Sequence, residues 1–301
     1  MLAFNQNDTI QETHTYLFLD EVINQSNQSI LAKGYPEKWG IGPAKFPSGD
    51  IVDQFADYEM DANVINNPAY SNQLKEGLLQ IPTVCLSLHM DSLFHPQQGI
   101  YSNSLEEDST FFLNNNALIE KPVSIEMFNG DGTTEFHTFA GLKMNGASSR
   151  HYDFYKHAFR LVFRKKFGDG KLDHALFGPD AAENHESLVL RMIGHCSPHD
   201  WQEARREKTQ FQRDKLARDL HRKMGHLSPH SKYVHLYLNG IYWGLYDLTE
   251  RPDADYMAEY QGGNEEDYDV LKQLEVKDGD SIAYYKTVSY THLTLPTTPY
   301  V

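Results

Sequence analysis

Two alternating runs, Tyr233–Leu238 and Ile241–Tyr246, flank the dipeptide Asn239-Gly240. A two-residue connection with positive φ at both central positions matches the right-handed twist of paired strands. Asn-Gly adopts that conformation at least cost, so this stretch is committed to an antiparallel hairpin. Thr249-Glu-Arg-Pro252 closes it, because proline has no N–H for the ladder.

Other strand-like runs precede the hairpin: Thr83–Leu88, Gly99–Asn103, Val123–Phe128 and Phe136–Met144, the last two joined by the turn residues Asn129–Gly132. His157–Arg164 and Ser187–Met192 follow as two more. Gln202–Met224 lacks Pro and Gly and repeats Leu216, Leu220 and Met224 at spacing four, with Gly225 placed as a C-terminal cap. It is expected to be one long helix that buries this stripe and shows a basic back. Asp255–Tyr260 starts a shorter helix that Gly262-Gly263 stops. Residues 1–80 carry loop signals and short aromatic clusters, so they are expected to form an ordered leader with two short helices, ahead of a domain over 81–287.

The charge is uneven. Residues 143–232 hold 18 of the 27 Lys and Arg but 11 of the 42 Asp and Glu, a net of +7 where the rest of the chain carries −22. A basic middle in an acidic chain suits a small anion such as a nucleotide phosphate better than a polyanion, so nucleic acid is not expected as a partner. No run of residues is apolar enough to span a membrane, and no export signal is visible at Met1. Cys85 and Cys196 are too few for a disulfide framework.

Chemistry is concentrated between Gly141 and Arg164. The run Gly141–Arg150 combines glycines with Ser148 and Ser149, which let backbone N–H groups approach an anion, and Arg150 adds charge-assisted bonds. The same pattern also describes a plain small-residue turn. A phosphate site of this kind needs a strand cation and an acidic helix residue to hold it. Lys156, Arg160, Arg164, Lys165 and Lys166 offer the cation, with Lys156 and Arg160 nearest the loop. Glu203, Glu207, Asp214 or Asp219 could supply the acid. The pairs His195/His199 and His226/His230 have zinc-like spacing, yet both contain Ser-Pro and neither has a third ligand nearby.

With these elements in place, residues from Ile81 to Gln273 resemble the N-terminal half of the CotH kinase family. The resemblance rests on Gly99–Asn103, Gly141–Arg150, Lys156–Arg164, Leu188–Arg191, Arg213–Ala217 and, most specifically, Val234–Arg251. It implies an α+β fold: a protein-kinase-like N-lobe with antiparallel sheet, long helix and β-hairpin, truncated before the C-lobe. It also implies transfer of phosphate from ATP, with Mg²⁺, to Ser or Thr of coat or surface proteins, and so an extracellular or envelope setting with further domains. On this resemblance Gly141, Gly146, Ser148, Ser149 and Arg150 form the nucleotide loop, Lys156 and Arg160 the phosphate cations, and Glu250 part of the hinge near the adenine. The family's catalytic and metal-binding residues are expected beyond residue 287; Asp267, Asp269, Asp278 and Asp280 read as a solvated acidic loop. Val288–Thr297 resembles the in-frame translation of a sequencing adapter, so residues 288–301 are expected to be a non-native tail.

Overall fold

The computed structural model describes residues 13–39, 44–45, 51–52, 55–101, 119–146, 156–192 and 208–293. Seven strands form a closed barrel: β1 (Thr83–Ser87), β2 (Lys121–Phe128), β3 (Thr134–Met144), β4 (Phe159–Val162), β5 (Ser187–Arg191), β6 (Ser231–Leu238) and β7 (Ile241–Glu250). Around the barrel the order is β6-β7-β5-β4-β3-β2-β1. All neighbours are antiparallel except β1 and β6, which close the ring in parallel with Thr83 opposite His235 and Leu86 opposite Leu238.

This architecture corrects the expected kinase-like N-lobe. Each strand signal is local, whereas the closing pair joins segments about 150 residues apart in sequence, and no local pattern encodes a parallel contact at that distance. The helix is corrected too. It runs only over α1 (Arg213–Lys223), because residues 208–212 are turns and open chain, and 202–207 lie outside the described residues. Gly99–Tyr101 is likewise no strand; Ile100 and Tyr101 are fully buried in a turn.

The hairpin forms as its sequence demands. Asn239 and Gly240 both have positive φ, 50° and 85°, and Leu238 pairs with Ile241 across the turn. The register then slips, so that Leu236 faces Gly244 while Tyr237 faces Tyr242. Trp243 is the extra residue of this bulge. A bulge inverts the alternation beyond it, so Ile241 and Trp243 are buried on one side of it, and Tyr246 and Leu248 on the other.

The leader plugs the barrel. Trp39 and Tyr58, each 1% exposed, join Tyr35, Phe94, Tyr101 and Trp243 in one aromatic cluster continuous with the barrel core. Gln25 completes the attachment at the bulge: it donates to the Tyr242 carbonyl at 3.0 Å and accepts from the Tyr242 N–H at 2.9 Å. After the barrel comes α2 (Ala254–Gln261), capped by the Asp253 side chain and ended by Gly262 at φ 79°.

Candidate functional site

Residues that alternate with the buried core point outward, and on β3, β4 and β5 these include Lys143, Arg160 and Arg191. Lys143 lies directly opposite Arg160, and Arg160 opposite Val189, which places Arg191 two residues further along β5 toward the loop that joins β3 to β4. That loop leaves the barrel after Asn145, whose N–H donates to the Ala158 carbonyl at 2.8 Å, and Gly146 turns it at φ 84°. Three cations thus line one outer face leading to the small-residue loop.

Each is held differently. Arg191 pairs with Asp214 of α1, and their side chains are 42% and 60% exposed. An exposed pair of this kind contributes about 0–1 kcal/mol, so its effect is to orient the guanidinium rather than to hold the fold. Arg160 donates to Ser187 Oγ at 3.3 Å and lies 3.7 Å from Asp253, which also pairs with Arg251. Its Nε is buried with no partner among the described residues. Burial, and then the neighbouring Arg251, push the Arg160 guanidinium down to about 10. Burial and Arg160 likewise lower Lys143, which lies 3.7 Å from Glu120. Such a face favours an incoming anion that would relieve the repulsion.

The docking of α1 is a separate contact. Arg218 pairs with buried Asp247 of β7 and donates to Thr249 Oγ1 at 2.5 Å, while Tyr233 donates its hydroxyl to the Phe211 carbonyl at 2.8 Å. The helix therefore meets the barrel with its polar side. Leu216, Leu220 and Met224 are exposed, which reverses the expected buried stripe: buried Asp247 on the barrel wall draws the polar face inward, because leaving it unpaired would cost more than an exposed leucine.

The remaining residues singled out from sequence have other partners here. Lys156 is 8% exposed; its Nζ lies 3.8 Å from the centre of the Trp243 ring and donates to the Asp57 carbonyl at 3.2 Å. Its ammonium is thus committed to the aromatic plug and the leader. Gly141 gives room to a neighbour: a Cβ there would lie 2.5 Å from the Phe167 ring. Glu250, 2% exposed, accepts from Tyr260 and from the His230 N–H, both at 2.6 Å, and so ties the ends of β6, β7 and α2 together. Ser148, Ser149 and Arg150 lie outside the described residues, as do Glu203, Glu207, His195 and His199. Arg191 was not among the cations read from sequence. Its signal is that it ends an otherwise apolar buried strand, Ser187–Arg191, shortly before a helix bearing Asp214.

Burial holds the Lys156 ammonium down at about 8, against an ordinary 10.5. Between those values the unfolded chain keeps a proton that the folded protein has lost, so stability rises with pH across that window. Relative to Lys156→Met, the protein is expected to gain about 2 kcal/mol between pH 7 and pH 9.5 in urea denaturation. Parallel pH responses of the two proteins would contradict the buried ammonium.

Among the described residues no unoccupied ligand set converges for the divalent metal implied by the resemblance. Among the described residues the one converging group of three is Glu186, Asp255 and Glu265, and the Lys171 ammonium already sits there, 2.6 Å from Asp255 Oδ1.

The comparison with curated proteins gives no match. No helix among the described residues is long and apolar enough to cross a membrane. The family model described as CotH kinase protein matches residues 142–290, a span that begins beside Lys143 and takes in Arg160, Arg191, α1 and the hairpin. By that match the chain belongs to the CotH kinase family.

Proposed function

We propose that this chain is the nucleotide-binding part of a CotH-type phosphotransferase, in which Arg191, oriented by Asp214, and Arg160 grip the phosphates of ATP beside the loop between β3 and β4. The observation that carries the reading is the Arg191–Asp214 pair. It joins a strand cation to a helix carboxylate next to a small-residue loop, the arrangement by which kinase-like sites position the α/β-phosphates. The unpartnered Arg160 Nε and the crowding of Lys143, Arg160 and Arg251 supply a second reason for a phosphate there. Gly146, Ser148, Ser149 and Arg150 would complete the cradle from the loop. By the same proposal the acceptor is a Ser or Thr hydroxyl of a coat or surface protein.

Competition tests this reading. A fluorescent ATP analogue bound by the chain should be displaced by ATP and by tripolyphosphate, and only weakly by adenosine, with affinity falling as salt rises. Displacement by adenosine as strong as by ATP would contradict a phosphate grip. A second reading, a non-catalytic surface module with a kinase-family shell, is favoured by the internal partners of Lys156 and Glu250. It predicts no saturable binding of the analogue at millimolar concentration.

A further inference from the structure

The outward side of α1 is built unlike the rest of the surface. Leu216, Leu220 and Met224 recur every fourth residue and are 55%, 51% and 71% exposed, and no residue of the helix is buried. The opposite side is fully engaged: Asp214 with Arg191, Arg218 with Asp247, and Arg222 with Asp219 and the Ser228 carbonyl. The ridge continues into an open groove lined by Phe211, Ala217 and Gln210. Arg213 and Lys223 border it, both exposed, and neither pairs with a carboxylate among the described residues. The two carboxylates of the helix are held by Arg191, Lys215 and Arg222. What faces outward is therefore an apolar ridge with a purely cationic border.

We propose that this face docks an amphipathic helix of a partner protein whose own apolar ridge is flanked by carboxylates. An i, i+4 ridge of Leu and Met fits between the ridges of a second helix, and Met adapts to an imperfect partner. Charge decides among the occupants. A second copy meeting the same face would set Arg213 and Lys223 against themselves, since a twofold contact apposes a patch with itself. An anionic lipid surface would have to attract a chain of net charge −15 through a few exposed cations. A carboxylate-flanked helix meets neither obstacle. The contact spans roughly 12 Å of helix, so it is a weak, salt-sensitive one.

The probe is a labelled helical peptide with leucines at i, i+4 and i+8 and glutamates beside them, titrated with the full chain in fluorescence anisotropy. Saturable binding is expected, weakened about tenfold or more by Leu220→Asp, by the pair Arg213→Glu and Lys223→Glu, and by exchanging the peptide's glutamates for lysines. Arg191→Gln should leave peptide affinity unchanged, which separates this surface from the nucleotide reading. The substituted side chains are exposed, and an unaltered far-UV spectrum confirms the fold of each variant. Equal binding of the glutamate and lysine peptides would overturn the proposal, as would no saturable binding at millimolar concentration. So would co-sedimentation with phosphatidylserine vesicles without peptide binding, or self-association that Leu220→Asp abolishes.

Discussion

Replacing Trp243 by Ala is expected to destabilise the protein by about 3–5 kcal/mol. Trp243 is 1% exposed and its ring stands 5.3 Å from that of Tyr101 and 5.6 Å from that of Trp39, with Phe94 and Tyr58 just beyond 6 Å. It is also the aromatic face nearest the Lys156 ammonium, so its removal leaves a buried charge without its π partner. Because domains of ordinary size are stable by about 5–15 kcal/mol, the variant should unfold at much lower urea, and its leader should become accessible to protease first. A loss below about 1 kcal/mol would contradict a leader held by this plug.

Arg218→Ala is expected to cost about 3–5 kcal/mol, because it leaves a buried carboxylate uncompensated. Asp247 is 5% exposed, and its Oδ1 has no hydrogen-bond partner among the described residues even with Arg218 in place. Thr249 would lose a donor at the same time. The companion variant Arg191→Ala, on the exposed pair of the same helix, should change stability by less than about 1 kcal/mol. Replacing both Arg218 and Asp247 by apolar residues of similar size should restore most of the loss, since the double replacement removes the orphaned charge. If Arg218→Ala and Arg191→Ala cost the same, α1 is not docked through Asp247.

How legible this was in the sequence depends on range. The Asn239-Gly240 turn was readable because its geometry is settled by two adjacent residues, and the strands flanking it carry their own alternation. The bulge at Trp243 was not read from the run Ile241–Tyr246, and it is this bulge that brings Tyr246 and Leu248 to the inner face. The parallel closure of β1 on β6 was not readable, since neither strand differs in pattern from one with antiparallel neighbours only. Nor was the orientation of α1. A spacing-four stripe of Leu and Met ordinarily faces a core, and only Asp247 within an apolar strand hinted that the charged side would be drawn inward. At the site, Arg160 of the basic window stands on the cationic face, whereas Gly141–Met144, read as part of the loop, belong to β3, and residues 147–150 lie outside the described residues. The choice of Arg191 needed the fold, because its relation to Asp214 exists only once α1 lies across β5 and β7.

By the proposal above, Arg191 and Arg160 on the outer barrel face hold phosphate while Lys156 holds the plug. Isothermal titration of ATP into Arg191→Gln, Arg160→Gln and Lys156→Met tests it most directly. The expected result is an affinity about tenfold or more weaker for each of the two arginine variants, and unchanged for Lys156→Met at matched folded fraction. Loss of binding in Lys156→Met, with full affinity in both arginine variants, would contradict the account.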